Sequence, residues 1–172
     1  TGGHVFPALA VAKLLQSRGW LVHWVGTNRG LEGRVVPRED IVLHTLPVQG
    51  LRGKGWLHRA GALVNLVRSL FQSLGLLVRI KPDVVLGMGG YAAGPAGVAS
   101  LLLVKPLVIH EQNAVAGTTN RLLAPLARRV LFGLRGAFEE GGRCQLVGNP
   151  VRQDIAGLPE PESVTINAFT PD

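Results

Sequence analysis

The sequence predicts an α/β fold: a Rossmann-like parallel sheet with helices on both faces. Three observations carry this expectation. Short, near-continuously apolar runs alternate with helix-period segments, as buried parallel strands alternate with crossover helices. The 172 residues include 23 glycines, too many for a helical bundle and suited to tight strand–helix turns. Every polar cluster follows the carboxyl end of a predicted strand, where open sheets bind ligands.

The elements follow in order. Residues 4–17 read as a helix with Ala8, Leu9, Val11, Ala12 and Leu15 on its apolar side. Pro7 falls in the expected first turn, where a missing N–H is tolerated, and Arg18-Gly19 ends the helix. Residues 21–26 form a buried strand, 27–34 a loop with room for one helical turn, and 41–46 a second strand. Residues 50–55 are a glycine-rich basic loop and 56–80 a long helix, stopped by Lys81-Pro82-Asp83. A short strand over 84–87 leads to Gly89-Gly90-Tyr91 and a helix over 94–103. A strand over 107–110 delivers Glu111-Gln112-Asn113 to the next loop, and a helix over 118–126 is broken by Pro125. Short strands are expected at 130–132 and 145–147, then a turn at Gly148-Asn149-Pro150. From Leu158 onward Pro159, Pro161 and Pro171 interrupt a stretch without periodicity, read as a linker or a displaced end.

Composition narrows the classes of partner. Hydrophobic residues make up 47% and charged residues 17%, and the mean hydropathy of +0.27 calls for an apolar surface that meets a membrane or another domain. The formal charge of +7 favours anionic partners: nucleic acid, anionic lipid or a phosphorylated substrate. Aromatics are 5% and no zinc-finger or RNA-binding motif occurs, which speaks against nucleic acid. The single cysteine, Cys144, excludes an intrachain disulfide and any cysteine-pair metal site, and fits a reducing cytoplasm. Residues 84–104 carry no charge and reach membrane-spanning length, but Pro95 and the glycine cluster make them strand, loop and helix instead.

Four clusters carry chemistry. Thr1-Gly2-Gly3-His4 opens a helix, and glycines at a helix start expose N–H groups toward a phosphate. His4 either moves a proton or caps the helix. Gly87-Met88-Gly89-Gly90-Tyr91 implies close backbone approach, with Tyr91 either at a ligand or over the core. His110-Glu111-Gln112-Asn113 matches the hydroxyls and acetamido group of a sugar. It is no HExxH metal site, because position 114 is alanine. In Gly148-Asn149-Pro150-Val151-Arg152, the guanidinium suits a phosphate or carboxylate, or is a surface charge.

Together, Thr1-Gly2-Gly3-His4-Val5-Phe6-Pro7-Ala8-Leu9-Ala10, Leu51-Arg52-Gly53-Lys54-Gly55, the run from Pro82 to Tyr91, His110-Glu111-Gln112-Asn113 and Gly148-Asn149-Pro150-Val151-Arg152 closely resemble the MurG family, bacterial glycosyltransferases that make lipid II. The resemblance runs from Thr1 to about Leu158, in order and with family-like spacing. It implies the amino-terminal half of a GT-B glycosyltransferase, two Rossmann-like domains around a cleft. Residues 1–158 match the acceptor-side, membrane-binding domain, without its first strand; 159–172 are a linker or displaced end, and the donor-binding domain is not matched. On this view the chain is a piece of a larger enzyme and transfers nothing alone.

The implied reaction moves N-acetylglucosamine, with inversion, from UDP-GlcNAc to the C4 hydroxyl of MurNAc in lipid I. No cofactor or bound metal is implied, in keeping with the lack of an Asp-x-Asp pair. His4 is the expected general base and Glu111 its rival. Thr1, Gly2, Gly3, Asn113 and Arg152 match donor-side positions. Gly89, Gly90, Tyr91, His110 and Gln112 match the acceptor pocket. Arg52, Lys54, Trp56, Arg68, Phe71 and Arg79 describe a basic, apolar surface that docks on an anionic membrane, placing the enzyme peripherally on the cytoplasmic face of the bacterial plasma membrane. Other cell-wall synthesis and division proteins are implied as partners, and nucleic acid is not. Two other readings stay open: a UDP-GlcNAc epimerase-like enzyme, and a non-catalytic docking module.

Overall fold

The computed structural model describes residues 2–28, 30–48 and 56–151, with backbone alone over 56–60. Thr1, Arg52, Lys54, Arg152, the side chain of Trp56 and the tail lie outside the described residues.

The chain runs α1 (Gly2–Ser17), β1 (His23–Gly26), α2 (Glu32–Val35) continued by a 3-10 turn (Val36–Glu39), and β2 (Val42–Thr45). It continues through α3 (Trp56–Ile80), β3 (Val85–Gly87), α4 (Ala93–Leu102), β4 (Leu107–Glu111), α5 (Thr118–Leu123) with a 3-10 turn (Ala124–Leu126), β5 (Arg129–Phe132) and β6 (Cys144–Leu146). All pairings between these strands are parallel. This is the α/β class that the alternating pattern predicts.

Two differences from expectation bear on the site. First, α1 starts two residues early, so Gly2 and Gly3 are helical and Pro7 sits in the second turn. Its missing N–H leaves the Gly3 carbonyl without an intrahelical donor. Second, the sheet is split. β1 pairs with β2, and β3–β4–β5–β6 form a separate four-stranded sheet. Between β1 and β3 lies a cavity of about 690 Å³, walled by both strands and by α1, α3 and α4. The first strand is also shorter than predicted: Leu21, mostly exposed, and Val22 precede it, because no strand pairs with them.

Each sheet has its own core. Leu9, Ala12, Val36 and Ile41 pack beside β1 and β2. Leu107, Ile109, Leu123, Ala127 and Val130 pack around β4 and β5. Gly97 of α4 is required by this second core, since a Cβ there would come within 2.7 Å of Leu123. The long helix α3 has the bounds its periodicity predicts. It lays small Ser69 and Ser73, with Leu76 and Leu77, against the protein. Leu63, Val64, Leu66, Val67, Phe71 and Val78 are exposed. Small buried residues on both partners, Ser69 and Ser73 on α3 and Ala96 and Ala99 on α4, suit the close packing of this pair.

Candidate active site

The site lies at the carboxyl ends of β1, β3 and β4, where the cavity between the sheets opens. His4, in the first turn of α1, lines this cavity with Gly89, Gly90 and Tyr91 from the loop after β3. Thr27 and Gly30 from the loop after β1, and Glu32 at the start of α2, line it too. Gly89 has φ +87°, and a Cβ on it would sit 3.3 Å from His4 Cε1. Glycine is therefore needed there both for the backbone and for the imidazole. Tyr91 is exposed at the mouth.

β4 delivers the third cluster, and its residues divide sharply by role. Glu111 is fully buried. Its Oε1 accepts hydrogen bonds from Asn113 N (3.1 Å) and Asn113 Nδ2 (2.9 Å). Its Oε2 accepts from Gly117 N (3.0 Å) and Asn120 Nδ2 (2.8 Å). Burial pushes its pKa up, but these four donors outweigh burial and hold the carboxyl below the usual range. The side chain curls the loop of residues 112–117 around itself.

His110 and Gln112 are also buried. His4 Nδ1 lies 2.7 Å from Gln112 Oε1. Gln112 Nε2 lies 3.1 Å from His110 Nδ1, and His110 Nε2 lies 3.1 Å from the Gly148 carbonyl oxygen. Asn149 Nδ2 donates to the Gln112 carbonyl at 3.1 Å. The turn at Gly148 is thereby tied to the loop after β4 and, through Gln112, to α1. Burial pushes the His110 pKa down, against the raising effects of its bond to Gly148 and the Glu111 charge.

The structure thus gathers His4, Gly89, Gly90 and Tyr91 at one opening. It turns the polar atoms of His110, Glu111 and Gln112 inward, where sequence reasoning had them facing a ligand. Asn113 is exposed beside them. Gly2 and Gly3 belong to the first turn of α1, just ahead of His4. Two residues were missed. Asn120 is buried and bonds both Glu111 and the His110 carbonyl, and its signal is an amide in a helix otherwise reading as Leu122-Leu123. Glu32 accepts from Thr27 N and Thr27 Oγ1 at the cavity wall. Burial raises its pKa, and these bonds bring it below the usual range. Among the described residues no three His, Cys, Asp or Glu side chains are grouped to hold a metal ion.

The chain is similar to known proteins over most of its length. The profile of the glycosyltransferase family 28 N-terminal domain matches residues 1–132. A UDP-N-acetylglucosamine--N-acetylmuramyl-(pentapeptide) pyrophosphoryl-undecaprenol N-acetylglucosamine transferase from Alkalilimnicola ehrlichii is 56% identical over 171 residues, 99% of this chain and 48% of that protein. The enzyme of the same name from Aeromonas hydrophila is 49% identical over 162 residues, 94% of this chain and 45% of that protein. The chain therefore spans about half the length of the curated relatives it matches. The crystal structure of Acinetobacter baumannii MurG superposes with a TM-score of 0.74 at 36% identity, covering 91% of this chain and 44% of that one. A putative UDP-N-acetylglucosamine 2-epimerase from Listeria monocytogenes superposes at 0.55 with 14% identity, over 78% of this chain and 37% of that one, a likeness of fold alone. With its parallel strands, its flanking helices and a family profile covering most of its length, this chain belongs to the glycosyltransferase family 28 N-terminal domains.

Proposed function

We propose that this chain is the acceptor-side domain of an inverting GT-B glycosyltransferase that moves N-acetylglucosamine from UDP-GlcNAc to the C4 hydroxyl of MurNAc in lipid I, giving lipid II. The observation that carries the reading is His4: an imidazole at the opening of the cavity, beside a glycine that makes room for it. The names of the relatives supply the substrates. In this reading His4 takes the proton of the acceptor hydroxyl as that oxygen attacks the anomeric carbon, and UDP leaves from the opposite face. Tyr91, Gly89 and Gly90 border the acceptor. In the same reading Thr1, Gly2, Gly3, Asn113 and Arg152 are the donor-side residues, and the N–H groups of the first turn of α1 help offset the donor's charge. No metal enters the reaction. In this reading the donor is held mainly by a second, donor-binding domain.

A transfer assay with labelled UDP-GlcNAc and a lipid I analogue tests this. The full-length enzyme containing this domain forms lipid II, and the 172 residues alone do not. A full-length enzyme that makes no lipid II overturns the transferase reading. Lipid II made by the 172 residues alone overturns the division into domains.

The same reading places the enzyme on the cytoplasmic face of the bacterial plasma membrane. Residues Gly61–Ile80 of α3 are long and apolar enough to cross a bilayer, with mean hydropathy 1.4. Packing of α3 on α4 favours docking along the surface instead. Leu63, Val67 and Phe71 are exposed beside Arg68, with Val78 and Arg79 further along. Arg52, Lys54 and Trp56 lie just ahead in the sequence. Each basic residue near an anionic surface contributes about 1 kcal/mol. Co-sedimentation is expected to be several-fold stronger with anionic than with zwitterionic vesicles, and to weaken as salt rises. Equal, salt-independent binding to both would remove the electrostatic part.

A further inference from the structure

The chain of contacts from His4 to Gly148 admits one arrangement of protons. Gln112 Nε2 faces three acceptors: the His110 carbonyl oxygen at 3.2 Å, His110 Nδ1 at 3.1 Å and Met88 Sδ at 4.0 Å. Reversing the amide would set its oxygen, which only accepts, against the His110 carbonyl oxygen inside the protein. The amide nitrogen therefore stays on that side, and Oε1 faces His4. At the far end, His110 Nε2 faces the Gly148 carbonyl, which also only accepts. His110 thus carries its proton on Nε2, and its Nδ1 lone pair receives the Gln112 N–H. With Oε1 able only to accept, the group that donates across the 2.7 Å contact is His4 Nδ1–H.

We propose that Gln112 is a positioning residue for the base: held by His110, its amide fixes His4 in the Nδ1–H tautomer and leaves Nε2 as the basic atom. His4 Nε2 has no hydrogen-bond partner among the described residues, and His4 lines the cavity. An imidazole's free nitrogen is set by the bond that its other nitrogen makes. A neutral amide does this without adding a charge. A histidine side chain in water favours the opposite tautomer, so the Gln112 contact has a preference to reverse. The proton register also runs to the Gly148 carbonyl. The inference rests on His4 as the base of the proposed reaction, but its first readout does not depend on activity.

The test is nitrogen NMR on the histidine-labelled chain near neutral pH, with the His4 signals assigned by their loss in His4→Gln. The expected result is a protonated Nδ1 and an unprotonated Nε2 on His4. In Gln112→Met, His4 moves toward the Nε2–H tautomer. In Gln112→Glu, it keeps Nδ1–H, because a carboxylate accepts the same bond. In the full-length enzyme, Gln112→Met lowers kcat at least about tenfold, within the range that a positioned base supplies, with acceptor KM little changed. An Nε2–H tautomer in the unaltered chain overturns the proposal, and so do His4 nitrogen shifts that Gln112→Met leaves unmoved. The expected tautomer together with a full-length His4→Ala enzyme of normal turnover would remove the transferase base and leave the tautomer assignment standing. An Nε2–H tautomer with an inactive His4→Ala enzyme would do the reverse.

Discussion

Replacing His4 by alanine in the full-length enzyme is expected to lower kcat by about 100- to 10,000-fold, the range a positioned general base contributes. Donor affinity should stay within about twofold, since the loss belongs to the transition state rather than to binding. The expectation follows from position. The imidazole lines the cavity, Gly89 leaves it room, and its Nδ1 is anchored by Gln112. The rival, Glu111, lacks these properties. It is buried, and both its oxygens accept hydrogen bonds from the loop that it organises. Those bonds hold its pKa down, which makes it a weaker proton acceptor. A pH–rate profile separates the two. The acidic-side inflection should vanish from the residual activity of His4→Ala and persist in a folded Glu111 variant. Turnover near that of the unaltered enzyme in His4→Ala would remove the assignment.

What the sequence made legible, and what it did not, divides along physical lines. Periodicity reports local structure, so α3 appears with the bounds expected of it, and each strand appears within two residues. Periodicity does not report which face of a helix is covered. The serines of α3 turn inward because α4 offers small residues there, a fact about the neighbour rather than about α3. The start of α1 was misplaced because glycines read as a turn, although Gly2 and Gly3 adopt helical backbone at the helix end. Glycine-rich turns and polar residues after strands marked the end of the sheet where His4, Gly89, Gly90 and Tyr91 line one cavity. They did not tell which polar atoms face a ligand. That depends on contacts such as His4 with Gln112, 108 positions apart, and His110 with Gly148, 38 apart. Only the order of strands brings such residues together.

Glu111→Gln is expected to destabilise the chain by roughly 2–4 kcal/mol at pH 7, through a donor placed where an acceptor is required. All four groups around the Glu111 carboxylate are N–H donors: Asn113 N, Asn113 Nδ2, Gly117 N and Asn120 Nδ2. A glutamine keeps one accepting oxygen and presents an NH2 group to the other pair. At least one of the four donors loses its partner and meets another donor. The sign of the pH dependence follows from the depressed pKa. The carboxyl titrates below its unfolded value of about 4.3, so its contribution is fully present above that pH. It is lost as pH falls through the folded value, where the protonated carboxyl no longer accepts from all four donors. The unaltered chain should therefore lose stability on acidification through this window, and the Gln variant should lack that part of the slope. Urea unfolding of both chains at pH 7 and again well below pH 4.3 measures it, with the difference between them narrowing in acid. A difference at pH 7 under about 0.5 kcal/mol, within the scatter of ordinary surface substitutions, would mean that the loop of residues 112–117 does not depend on this carboxylate. A gap that stays constant with pH would place the effect in packing rather than in the charge.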